Sequence, residues 1–214
     1  MNRDEIVSGW VLFLSVCGIY TALRLSANGI IFTDEFFYRS LSGQLTIESI
    51  ESLLNIRAKL WWIDYLTIPV ILVFRTLFAS ICISIGLVLF EKSFSFSKLF
   101  KIALLAEGVF MLGELIYLIQ IFSELESLTL HESINYYPLS LMSVVGIEHA
   151  LPFLYYPLQT LNFFEILYIC VISGLLSLHI EGGFKELLSI VMPAYLTGLI
   201  LWLSLVAFLT LQVS

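Results

Sequence analysis

Apolar residues fall into five long runs, at residues 9–25, 65–90, 100–122, 161–180 and 188–211, and the stretches between them carry most of the charge. A helix needs about 20 mostly apolar residues to cross a hydrocarbon core about 30 Å thick. The pattern therefore predicts five transmembrane helices. Pro69 and Pro193 fall early in the second and fifth runs, where the missing amide is tolerated. Short polar turns at 91–97 and 181–186 join the second run to the third and the fourth to the fifth.

Two longer connections have patterns of their own. Residues 26–60 carry Asp34, Glu35, Arg39, Glu48, Glu51, Arg57 and Lys59, and from Thr46 onward Ile47, Ile50, Leu53, Leu54, Leu60 and Trp61 recur at near-helical spacing. Trp61-Trp62, followed by Tyr65, is the aromatic signature of a bilayer interface. The spacing predicts an amphipathic helix over 46–62 lying on the membrane surface, with Ile47, Ile50, Leu54, Trp61 and Trp62 on its apolar face. That face packs either on the protein's own bundle or on a partner. Residues 123–160 contain no Lys or Arg, and their apolar pieces, 139–147 and 150–158, are too short to span and are broken by Pro138, Pro152 and Pro157. Backbone that is not hydrogen-bonded to itself cannot face lipid, so short interfacial or half-inserted helices are expected here. The fold class is thus an all-α, polytopic membrane helical bundle, one integral membrane domain over residues 1–214, with amphipathic or half-inserted helices in its two outer loops.

Composition agrees. Hydrophobic residues make up 59% of the 214 and charged residues 13%, against roughly 45–50% and 25% in soluble domains, and the mean hydropathy is +0.98. The net charge of −7 argues against nucleic acid, which requires a clustered basic face. Cys17, Cys82 and Cys170 sit in apolar runs far from one another, without a CxxC or Cys–His spacing, and read as small buried hydrophobes. The first run reads as an uncleaved span, because Arg3 is the one basic residue before it and no small-x-small cleavage site follows. Lys92, Lys98, Lys101, Lys185 and Arg3 would share one side of the membrane and the basic-free 123–160 loop the other. The excess of Lys and Arg marks the cytoplasmic side, which puts the N-terminus in the cytoplasm and Ser214 outside. Arg24, Arg39, Arg57 and Lys59 count against that orientation.

Three ionisable residues interrupt the second and third runs: Arg75, Glu107 and Glu114. A charge at the centre of a bilayer costs roughly 2.5–3.5 kcal/mol on insertion scales, so such residues face protein or water and pair with one another. With both helices straight, Arg75 and Glu114 come to nearly the same depth, and Glu107 lies one heptad deeper on the Glu114 face. The spacing predicts an Arg75–Glu114 pair, with Glu107 protonated or bonded to Ser80 or Ser84. Such a network either fixes helix register or lines a proton or substrate pathway. Glu165, near the start of the fourth run, is expected at the hydrated interface. His131, Glu132, Glu148 and His149 are weak candidates for a metal site, since imidazole and carboxylate suit zinc, but their irregular spacing fits solvated loop residues as well. HExxH, GxSxG and a Gly-rich phosphate loop are missing. Neither a cofactor nor a catalytic residue is expected, and the chain reads as non-enzymatic.

Two stretches carry a resemblance. The Ser93-Phe94-Ser95-Phe96-Ser97-Lys98-Leu99-Phe100-Lys101 turn, leading through Ile102 to Glu107, resembles a basic turn entering a span. Tyr137-Pro138-Leu139-Ser140-Leu141, with the sequence from Leu158 through Asn162-Phe163-Phe164-Glu165 to the Gly-Gly-Phe-Lys turn at 182–185, is the second. Together they cover about half of the chain and are similar to bacterial-type members of the Yip family, five-span membrane proteins whose eukaryotic relatives interact with Ypt/Rab GTPases. The resemblance implies a multi-pass protein of the cell inner membrane that works with partners. The expected function is a non-enzymatic scaffold or accessory subunit of a membrane-bound machine of the trafficking, secretion or assembly type. Its partners would be membrane lipids and other membrane proteins, as a hetero-complex or homo-oligomer, with no nucleic acid. The alternative is a small transporter or proton-conducting subunit that uses Arg75, Glu107 and Glu114.

Overall fold

A computed structural model describes residues 3–213, with side chains from Gly9 to Gln212. Met1, Asn2 and Ser214, whose sides the charge count assigns, lie outside the described residues. Among the described residues ten α-helices follow in order: α1 Arg3–Ile30, α2 Asp34–Leu41, α3 Ile47–Leu89, α4 Phe96–Ala106, α5 Gly108–Ser123, α6 Leu130–Asn135, α7 Leu141–Val145, α8 Tyr155–Thr160, α9 Phe163–Ser177 and α10 Phe184–Val213. A 3-10 turn, Pro152–Leu154, leads into α8. The described residues hold no strand, only an isolated antiparallel bridge between Ser140 and Asn162.

Four of these stretches are long and apolar enough to cross a membrane: Gly9–Ile30, Ile47–Leu89, Phe96–Ser123 and Phe184–Gln212. The fourth expected span is shorter than the sequence pattern suggests. Asn162 caps α9 by accepting a hydrogen bond from the Glu165 amide at 3.0 Å, and the helix ends at Ser177. At 15 residues it rises about 22 Å, less than a core about 30 Å thick.

α9 is nonetheless the axis of the bundle. Its Tyr168, Ile172 and Leu176 are fully buried among Ala79, Ile83 and Leu87 of α3, Leu99 and Ala103 of α4, and Leu187, Val191 and Tyr195 of α10. α3 and α10 meet through small residues, and a methyl at Gly86 would stand 2.5 Å from the Ala194 Cβ. Small residues let membrane helices gain contact where lipid supplies no hydrophobic drive. α1 lies at the edge, its Val16 against Leu72 and Leu104, with Trp10, Val11 and Leu14 exposed. At one end the Lys92 ammonium pairs with Glu186 at 2.7 Å and donates to the Glu181 carbonyl at 2.9 Å. The two polar turns, 91–97 and 181–186, therefore lie side by side.

Three elements differ from the sequence pattern. α1 runs past Arg24 to Ile30, because no proline interrupts it and Asn28-Gly29 fall in its last turn. The surface helix expected over 46–62 and the span from 65 form one helix of 43 residues, capped by Thr46 and continuing through Pro69. It is about 65 Å long, twice the core, so part of it stands outside any bilayer the rest crosses. Of its expected apolar face, Ile50 is fully buried, Leu54 is half-buried, and Ile47, Trp61 and Trp62 are exposed. The span expected over 100–122 is interrupted at Glu107, which belongs to neither α4 nor α5.

Candidate functional site

That interruption positions the buried charge. The Glu107 amide turns to the Leu104 carbonyl at 3.3 Å, one residue short of the α-helical acceptor Ala103, whose carbonyl accepts from the Tyr168 hydroxyl at 3.4 Å. A tightened mid-helix turn of this kind often marks a functional position. It aims the Glu107 carboxylate at α3, where Arg75 donates from Nε to Oε1 at 3.1 Å and from Nη2 to Oε2. Arg75 Nη2 also donates to the Tyr20 hydroxyl at 2.8 Å, and the guanidinium lies 4.2 Å from the Phe110 ring centre. One cation thus ties α1, α3, α5 and the turn at Glu107 together.

Arg75 therefore pairs with Glu107 and not with Glu114. Counting depth along straight helices fails because α3 does not start at Tyr65 and the third run is not one helix. Ser80 does not serve Glu107 either; its hydroxyl donates to the Thr76 carbonyl at 2.7 Å. The Glu107 side chain is inaccessible, whereas 31% of Arg75 remains open. No hydrogen bond uses Arg75 Nη1 among the described residues, so its two N–H groups remain as a donor edge.

Glu114 makes no hydrogen bond or ion pair among the described residues, and it stands where three cavities meet. The first, about 250 Å³, runs along Asp64, Ile68, Ile71 and Arg75 of α3 opposite Tyr20 and Arg24. The second, about 370 Å³, reaches outward to Asn28, Arg57, Tyr136 and Gln159. The third, about 500 Å³, opens between Phe74 of α3 and Trp202 of α10, with Gln159, Asn162 and Glu165 on its polar wall. Together they form one vestibule, from the 123–160 connection down to the guanidinium. Arg24 and Asp64 face each other across it at 3.9 Å.

Glu165 is not at a hydrated interface: it is buried, and the Tyr195 hydroxyl donates to its Oε2 at 2.7 Å. Its place in the first turn of α9 turns it inward, towards α10. The four weak metal candidates do not gather. Glu132 closes a capping box with Thr129, its Oε2 accepting from the Thr129 amide at 2.8 Å. His131, Glu148 and His149 are exposed, and no three His, Cys, Asp or Glu form a metal-holding group among the described residues.

Sequence reasoning missed Tyr20, Arg24, Asp64, Tyr137 and Gln159. For the first three a signal existed. Tyr20 and Arg24 are one turn apart on an apolar helix, and Asp64, Ile68, Ile71 and Arg75 follow the 4-3-4 spacing of one helix face. Tyr137 and Gln159 come from a connection whose course no periodicity announces.

These features define a class: a helical bundle of membrane-spanning build, with a charge pair at its centre and a polar vestibule leading to it. No protein-family model matches the chain, no curated protein is detectably similar to it, and no solved structure matches its fold.

Proposed function

We propose that this is a non-enzymatic, multi-pass protein of the cell inner membrane that holds a polar or amphiphilic ligand in the vestibule, as the ligand-bearing subunit of a membrane-bound transport or assembly machine. One observation carries the reading. An unpaired carboxylate, Glu114, and an open guanidinium edge, Arg75, line the same two cavities, and such groups inside a bundle mark substrate or ion paths. The Arg75–Glu107 pair, with Glu107 inaccessible, is the floor of that site. Membership of the Yip family, with five passes and the N-terminus in the cytoplasm, belongs to the same reading and rests on the stretches at 93–107 and 137–185. The test is native mass spectrometry of the protein released gently from its own membrane. The expected result is a bound non-protein mass that is lost in Glu114→Gln. The same bare mass for both proteins refutes the reading.

A second reading, a scaffold that works by protein contact alone, draws on the first half of α3. Ile47, Ile56, Leu60, Trp61 and Trp62 are exposed there on a helix longer than a bilayer is thick. Cross-linking from Ile56 in native membranes, followed by identification of the captured chain, tests it. A defined stoichiometric partner is expected, and recovery of the protein alone rejects it.

A further inference from the structure

Resting on the vestibule reading, we infer that the ligand is a zwitterionic phospholipid with an ethanolamine-type head, the head held by Arg75 and Glu114 and one acyl chain laid in the groove between α3 and α10. The head needs an anion donor and a cation acceptor side by side. Arg75 presents its Nη1 edge, a fit for phosphate oxygens, and Glu114 presents a carboxylate without a partner, a fit for an ammonium.

The chain needs an apolar track that starts at that point. A groove of about 590 Å³ runs beside Phe78, Cys82 and Gly86 of α3, Phe90 just past its end, and Ala194 and Leu201 of α10. Phe78 and Trp202 line both this groove and the vestibule, and their rings, with centres 6.3 Å apart, form the sill over which the acyl chain passes from one to the other. From Phe78 to Phe90 the track is about 18 Å long, close to the roughly 15 Å of one leaflet's hydrocarbon. Arg75 is ten residues from Tyr65, about 15 Å along the axis. A head bound there has been drawn roughly to the middle of the core, where compensating charges are required.

The groove between these two helices is also where helix contact is closest. Gly86 and Gly198, the small residues that let α3 and α10 touch, border the groove that the chain would fill.

The experiment uses Trp202, at the junction, as reporter. The full chain carrying W10F, W61F and W62F is reconstituted in phosphatidylglycerol bilayers and titrated with phosphatidylethanolamine dibrominated in one acyl chain. The exchange is then repeated with brominated phosphatidylglycerol in phosphatidylethanolamine. Bromine quenches indole on contact, so site occupancy is read against the bulk mole fraction. The expected result is a preference for ethanolamine lipid at Trp202 of about fivefold, the size of one charge-assisted contact. In Glu114→Gln that preference should fall to about one. Thr197→Phe, at an exposed position on the groove wall, should reduce quenching by both lipids.

Quenching that follows bulk mole fraction in every protein overturns the inference. Calorimetric titration with phosphoethanolamine then separates the two ideas. If it binds in a Glu114-dependent way, the vestibule reading stands without the lipid; if it does not bind, both fall. Arg75→Gln strands Glu107, so the donor edge is tested in the Arg75→Gln, Glu107→Gln pair, whose thermal unfolding is checked alongside.

Discussion

Arg75 is satisfied on two of its three nitrogens and open on the third, and this division separates its structural part from its binding part. Removing one partner of a buried pair costs roughly 3–5 kcal/mol, whereas replacing both with apolar groups of similar volume is close to neutral. Arg75→Ala should therefore destabilise the bundle by about that amount, and Arg75→Met with Glu107→Leu should return most of it; reversible unfolding in mild detergent reads both. Tyr195→Phe removes the hydrogen bond to the buried Glu165 carboxylate and should cost about 1–3 kcal/mol. A matching Glu165→Leu, Tyr195→Phe pair should cost less than Tyr195→Phe alone. The buried charges were legible in the sequence because they interrupt apolar runs. Their pairing was not, because the turn at Glu107 depends on a hydroxyl from Tyr168, 61 positions further along the chain.

Among the elements, α6 is stabilised at its start by reciprocal bonds between Thr129 and Glu132. Those bonds hold the Glu132 carboxyl below its ordinary range. A carboxyl lowered in the folded state lends stability above its unfolded value, and that stability is lost as pH falls through the folded value. Hydrogen exchange over 129–136 should thus show α6 loosening below about pH 4, and Glu132→Gln should show much weaker pH dependence in the same window. Gly113 governs a neighbouring contact. A methyl there would meet the Tyr137 hydroxyl at 2.6 Å and the Phe164 ring at 3.0 Å, so Gly113→Leu should cost about 1–3 kcal/mol through overpacking, as read by thermal unfolding. The short helices of 123–160 were legible from their prolines and broken apolar pieces. The fusion of the amphipathic stretch with the second span was not, because an interface signature such as Trp61-Trp62 says where a helix meets headgroups and not whether it ends there.

At the scale of the molecule, a cation fastens each end of the bundle. Lys92 holds the two polar turns together, while Arg57 donates to the Phe32 carbonyl at 2.6 Å at the far end and closes the vestibule's outer wall. A hydrated vestibule should admit a charged, water-soluble thiol reagent. In a background without Cys17, Cys82 and Cys170, cysteines placed at Thr67 and Gln159 should label quickly and one placed at the lipid-facing Ile81 slowly; equal rates would contradict an aqueous cavity. Four of the five expected spans were legible because length and hydropathy suffice for helices on their own. The central place of α9 was not, since hydropathy cannot tell a helix wrapped by protein from one wrapped by lipid.

The length of α3 has a mechanical consequence. Pro69 withholds one amide from the hydrogen-bond ladder and is the softest point on the rod. The arm from Thr46 to that point is about 35 Å and the arm from it to Arg75 about 9 Å. With Pro69 as a hinge, a push on the outer tip bends the rod there instead of levering the guanidinium, so the outer arm swings while the charge pair keeps its geometry.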